Sequence, residues 1–205
     1  MDTQKHISSA FDQDLTTLND ALQKLGDLAC QQFEGAMEGL AMQNQANLDK
    51  VIKGDAALDT LEAEINEKAI EVIAIRSPRA KDLRYVLVAL KVATILERMG
   101  DYARNIANRT KVIMTAGNEN IPGVNIGRMG QVTQEMVRDA MKSYQNRDAE
   151  MALAVWRRDI EVDHMHTAFH KEVLASMSRN PNMVGTGAHL LFLSLIHISE
   201  PTRPY

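Results

Sequence analysis

Cysteine is nearly absent, with Cys30 the only one in 205 residues. No intramolecular disulfide can form and no four-cysteine zinc site can be built, which fits a reducing compartment. Aromatic residues make up only 4% and there are five prolines, so strand-like runs are few. An excess of basic charge is also missing. The formal net charge is −4, and neutralising a nucleic-acid backbone needs a clustered surplus of Lys and Arg, so nucleic acid is not an expected partner. No uninterrupted apolar stretch reaches the roughly 18 residues of a membrane span. The amino terminus MDTQKHISSAFDQ lacks a basic region followed by an apolar run, so secretion and insertion are not expected and the cytoplasm is the expected location. Phosphate-cradling glycine loops, a nucleophile elbow and a zinc-protease helix are absent as well, and no enzyme is expected.

What the chain does have is helical periodicity. Ile7, Phe11, Leu15, Leu18, Leu22, Leu25 and Ala29 step by threes and fours, the stripe of a long amphipathic helix. A second helix is predicted from an N-cap near Asn47, carrying Val51, Ile52, Leu58, Leu61, Ile65 and Ala69 toward a break at Pro78. A third runs from about Arg79 to Met114. The stretch TAGNENIPGVNIG then collects Gly, Pro and Asn and marks a linker over residues 117–126. Beyond it the pattern predicts helices from about Gly127 to Asn146 and from about Asp148 to Ser178, with a break at RNPNMVGTG. GDAALDTLEAEI aligns with RDIEVDHMHTAF, pairing Asp55 with Asp159 and Asp59 with Asp163, so the second half repeats the first at an offset of about 104 residues. The expected fold is all-α: two tandem three-helix bundles, repeat one over 1–116 and repeat two over 127–192, with long helices at shallow crossing angles. Trp156 and Cys30 read as core residues, as do Met151, Met165 and Met177.

Carboxylates fall into two seams. Glu97, Asp101 and Asn105 recur every fourth residue, and Asp55, Asp59 and Glu62 stand at i, i+4 and i+7, so each set occupies one face of its helix. Antiparallel packing would bring four or five acids together. Like charges converge in a bundle only when a cation neutralises them or some take up protons. Carboxylate and amide oxygens suit hard or borderline ions, which makes these residues candidate ligands for Mg, Ca, Mn or iron. The plainer alternative is a solvated face, with Asp101 and Arg104 forming an ordinary surface pair. Glu161 and His164 match one Glu-x-x-His unit of di-iron bundles, but repeat one has no second copy, so a ferritin-like or di-iron carboxylate bundle stands as the alternative. His164, His166 and His170 read as solvent-facing.

The runs DAALDTLEAEI, RSPRAKDLRYVLVALKVATILERMGDYARNIA and RDIEVDHMH closely resemble the PhoU family of phosphate-signalling regulators, over residues from about 5 to 192. The resemblance implies a pair of three-helix bundles acting as a cytoplasmic, non-enzymatic adaptor. Such an adaptor couples the nucleotide-binding subunit of the phosphate ABC transporter to a phosphate-sensing histidine kinase. It represses the starvation response when phosphate is plentiful, and it reaches the membrane only through its partners. It also implies a homodimer and divalent or trivalent metal ions, among them iron, Mn, Mg or Zn, on carboxylates of both repeats. By the same likeness Asp55, Asp59, Glu97 and Asp101 match the first metal site, with Asn105 a further candidate. Asp159 and Asp163 match half of the second.

The carboxy terminus departs from that pattern. After HLLF the chain reads LSLIHISEPTRPY, in which two prolines within four residues cannot continue a helix and Glu200 matches the partner of Glu97 only by coincidence. Residues 193–205 read as a sequencing adapter translated in frame and are set apart from the native protein. The expected consequences are a curtailed sixth helix, a second acid site without opposing ligands, exposed apolar surface beside Leu174 and Met177, and a first repeat more stable than the second.

Overall fold

A computed structural model describes residues 2–116 and 124–196, and the side chains from 10 to 116 and from 126 to 194. Helix α1 (Asp2–Met42), α2 (Gln45–Arg76) and α3 (Lys81–Thr115) form repeat one; α4 (Val124–Asn146), α5 (Ala149–Arg179) and α6 (Val184–Ile196) form repeat two, with a 3₁₀ turn at Pro181–Met183 leading into α6. No strand occurs among the described residues. Of the predicted linker, residues 124–126 belong to α4 and 117–123 lie outside the described residues.

The buried positions of α1 include Leu18, Leu22, Leu25, Ala29, Phe33, Ala36 and Leu40, whose steps of four and three keep one seam facing its neighbours at a shallow angle. Helix α2 follows the same rhythm through Leu48, Val51, Asp55, Leu58, Leu61, Ile65, Ala69 and Val72. An acid, Asp55, thus holds a core position. Its helix starts earlier than the periodicity predicts: Asn44, not Asn47, is the N-cap, and its side chain accepts from the backbone N–H groups of Ala46 and Asn47. Asn47 lacks the extended backbone a cap needs, because it already lies inside the first turn. The predicted break at Pro78 is present, with Ser77 closing α2 in the left-handed region at φ 48° and donating to the Ile73 carbonyl.

The internal repeat extends to the turns. Gln43 (φ 50°) precedes the cap Asn44 (φ −92°, ψ 100°), and at the equivalent place Arg147 (φ 53°) precedes the cap Asp148 (φ −93°, ψ 98°). Both junctions reverse the chain in two residues, which sets successive helices antiparallel and adjacent. Helices α1 and α4 join the repeats, and one continuous hydrophobic cluster runs through both. At that junction the Gln134 amide donates to the Cys30 carbonyl at 3.3 Å and to Glu34 at 3.2 Å. Cys30 is core, as expected, and burial pushes its thiol pKa up.

Trp156 is not core: it is 50% exposed, in line with Leu153 and Ile160 on the outer side of α5. Its place in the helical period lies one step off the buried line of Val155 and Val162, and ring size alone does not turn a side chain inward. Helix α6 continues past Phe192 through Leu193 and Ser194, both fully buried, to Ile196, and Glu200 lies outside the described residues. Helix α6 is held on α3 by Arg109, whose guanidinium sits 4.3 Å from the centre of the Phe192 ring. Leu174 is 43% exposed, while Met177 is half-buried against the core.

Candidate metal centre

The two seams of repeat one meet because α2 and α3 pack closely, and Gly100 permits the approach. A Cβ at that position would fall inside the Leu58 side chain, which is fully buried. Glycine at this place in the run LERMGDYARN costs the helix interior about 1 kcal/mol relative to alanine and leaves the Leu58 side chain its room. Leu58 lies between Asp55 and Asp59 on α2 and Gly100 lies between Glu97 and Asp101 on α3, so this one contact sets the two acid pairs against each other.

Asp55 is buried at 6% exposure, Glu97 and Asp101 are half-buried, and Asp59 is exposed at the rim. The electrostatics carry the signature of convergence. Burial is the main cause that raises the Glu97 pKa, and the charges of Asp101, Asp59, Glu62 and Asp55 add to it. Burial likewise raises the Asp55 pKa, reinforced by Asp59 and Asp101 and opposed by Arg104.

Arg104 supplies the counter-charge. From two turns beyond Glu97 its guanidinium donates to Asp55 across the interface and to Asp101 on its own helix. The pairing of Asp101 with Arg104 is legible in the sequence; the reach to Asp55 is not, since it depends on how α2 and α3 are turned about their axes. Burial works against the charge of Arg104, but Asp101, Asp55 and Asp59 outweigh it and its pKa is raised. Asn105 is exposed and stands off the cluster. Glu62 accepts from the Thr94 hydroxyl at 3.2 Å, tying the lower edge of the seam across the same helix pair.

No group of three or more His, Cys, Asp or Glu side chains is arranged to hold a metal ion among the described residues. The oxygen donors of the first cluster nevertheless have the right chemistry for a hard cation, and an ion entering there would exchange with the Arg104 guanidinium. Repeat two differs. Asp159 and Asp163 are half-buried on α5, and the same face continues into His166, whose ring lies 5.9 Å from that of His170. Burial and then the neighbouring His170 lower the His166 pKa, with Asp163 pulling the other way. His166 and His170 are thus partly buried, where the sequence suggests solvent; both fall on the line of Asp159 and Asp163. His164 is exposed as expected. Glu161 turns outward to Arg158, 4.0 Å away, within a network that includes Glu135 at 2.7 Å and Asp139 at 3.5 Å. The lone Glu-x-x-His unit therefore faces away from the core.

In chelator-treated, metal-free protein, Glu97→Gln is expected to stabilise at neutral pH by about 0.2–0.5 kcal/mol or more, the value of one like-charge i, i+4 contact with Asp101. A higher urea midpoint for the variant is the expected result there, and a lower one once metal is restored, when the Glu97 carboxylate has a cation to hold.

Fold and seam together define a tandem-repeat helical protein whose polar chemistry lies between the second and third helices of its first unit. The PhoU domain profile matches residues 22–110 and 126–200, and the chain belongs to the PhoU family. It is 34% identical over 190 residues to the phosphate-specific transport system accessory protein PhoU homolog of Caulobacter vibrioides, covering 93% of this chain and 83% of that protein. It is 33% identical to the Zymomonas mobilis homolog of the same name, covering 92% and 79%. Among solved structures it superimposes on PhoU from Pseudomonas aeruginosa with a TM-score of 0.87 at 26% identity, over 92% of this chain and 91% of that one. No described helix is long and apolar enough to cross a membrane.

Proposed function

We propose that this protein is a regulatory accessory component of phosphate-specific transport. The observation that carries the reading is the 34% identity to an accessory protein of that system along 93% of the chain. The finer mechanism is that of a cytoplasmic, non-enzymatic adaptor. Helical faces dock on the nucleotide-binding subunit of the phosphate ABC transporter and on a phosphate-sensing histidine kinase, so that the transporter's conformation biases the kinase toward its repressing state. A preference of about 1–3 kcal/mol for one state of each partner is enough for such coupling. The long, packed helices of the described residues suit this role, because each spans the length of its repeat and presents extended faces to partners. Association as a homodimer belongs to the same reading.

Co-purification with tagged transporter ATPase and with kinase, at high and at low phosphate, tests the proposal. Retention of both partners, with an occupancy that changes with phosphate, is expected; retention of neither at any phosphate level would refute the adaptor. A divalent or trivalent ion on Asp55, Asp59, Glu97 and Asp101 is the second part of the proposal, and Asp159 and Asp163 form the weaker half-site. Elemental analysis of the purified protein is expected to show bound metal that Asp101→Ala removes. Equal metal in the variant would exclude the first cluster. The di-iron oxidase alternative loses ground with the outward turn of Glu161.

A further inference from the structure

A cleft of about 840 Å³ opens between the repeats, where the start of α3 meets the α4–α5 turn. Its size falls in the range of small-ligand sites, about 300–1,000 Å³. Three cations border it: Lys81 and Arg84 from the first turn of α3, and Arg147 from the turn. Neither Lys81 nor Arg84 makes a side-chain ion pair among the described residues. Two acids also border the cleft. Asp148 is engaged as the N-cap of α5, accepting from the Met151 N–H at 3.0 Å, which leaves Asp82 as the one opposing charge not tied to a cap. Helix α3 begins here with no side-chain cap, so the positive end of its dipole adds to the field.

One wall of the cleft is aromatic. Tyr85 and Tyr144 stack with ring centres 5.7 Å apart and planes 16° from parallel, and Arg147 lies 5.0 Å from the Tyr85 ring centre. The Tyr85 hydroxyl donates to Asn19. The Tyr144 hydroxyl is sealed from solvent, and burial, with the neighbouring Tyr85 hydroxyl, pushes its pKa up. Leu15, Val88 and Ala152 line the same space with aliphatic surface.

We propose that this inter-repeat cleft binds a small phosphorylated organic molecule of nucleoside-phosphate size, its phosphoryl oxygens on Lys81, Arg84 and Arg147 and its organic body over Leu15, Val88 and Ala152. Arg and Lys donors with no protein acceptor are suited to a multiply charged oxyanion. Free orthophosphate would use the cations and leave the aliphatic bed uncovered. Tyr144 and Arg147 already lie against the Tyr85 ring, so the body rests on aliphatic side chains and is not stacked between rings. The site is independent of the protein partners proposed above.

Calorimetric titration of the full chain with ADP, ribose 5-phosphate and orthophosphate tests this. Saturable binding of at least one of the two organic phosphates, tighter than orthophosphate, is expected. Arg84→Ala should weaken it about 10-fold or more, the loss of one charge-assisted contact. Lys81→Ala should act in the same direction, and Tyr144→Phe, which keeps the ring stack and removes a hydroxyl sealed from the cleft, should leave binding within about 2-fold of the parent. Circular dichroism spectra matching the parent establish that the variants fold. Absence of binding by all three probes, equal affinity for orthophosphate, or binding that survives the combined Lys81→Ala and Arg84→Ala change would each overturn the proposal.

Discussion

Replacing Leu58 with alanine should cost about 2–5 kcal/mol of unfolding free energy, the range for a buried leucine whose removal leaves a cavity. Leu58 is fully buried and fills the space left by the missing Cβ of Gly100, so its loss opens the α2–α3 interface at the point that sets the acid seams. The companion change tests the geometry. Gly100→Val in the parent should destabilise by about 1–3 kcal/mol, because its branched side chain must displace Leu58. Gly100→Ala meets only the end of a flexible leucine and gains helix propensity, so its net effect is expected to be small. Combined with Leu58→Ala, Gly100→Ala should recover part of the cavity cost, giving a favourable coupling in a double-mutant cycle measured by urea denaturation. Strict additivity would mean that the two side chains do not share the space.

Arg104→Ala should destabilise the protein by about 1–3 kcal/mol at neutral pH, through the buried Asp55 carboxylate it leaves without its donor. The lower part of that range is favoured because Arg104 is 37% exposed, which screens the pair. The pH dependence identifies the cause. Burial, Asp59 and Asp101 already raise the Asp55 pKa from its ordinary 3.8, and Arg104 is what lowers it, so the variant raises it further. A carboxyl whose pKa is higher folded than unfolded contributes stability fully below the unfolded value and loses it as pH rises through the folded one. The variant's deficit should therefore be largest at neutral pH and shrink on acidification through the carboxylate range. Glu97, raised mainly by burial, follows the same sign. Asp14, lowered chiefly by its hydrogen bond from Arg76, acts oppositely and loses its contribution as pH falls through its folded value. Adding Asp55→Asn to Arg104→Ala should restore most of the loss by removing the uncompensated charge. A deficit that stays constant with pH and resists Asp55→Asn would place the role of Arg104 in packing.

The helices, their order and the repeat were legible because each rests on local periodicity: threes and fours for the buried stripe, a proline and an asparagine-rich stretch for the breaks. The convergence of Asp55, Asp59, Glu97 and Asp101 was legible too, since one stripe per helix and antiparallel neighbours leave few ways to pack. The cap Asn44 is not marked by the apolar period, and its signal is the repeat itself, since Asn44 and Asp148 stand at equivalent places in the two halves. Trp156 falls outside the core because its position in the helical period, one step off the line of Val155 and Val162, decides its direction whatever its size. The cleft beside Tyr144 has no linear signal: Lys81 and Tyr85 come from one repeat and Arg147 from the other, more than sixty residues apart.

The amino-acid order alone determined that this chain is a doubled three-helix unit with acids on two faces, because helix period and capping act within a few residues. Only the tertiary structure decided that a guanidinium stands among those acids and that two tyrosines and three cations meet between the repeats. Those outcomes depend on the rotation of each helix about its axis and on the angle between the repeats, which are set by contacts such as Leu58 on Gly100 that no local pattern encodes.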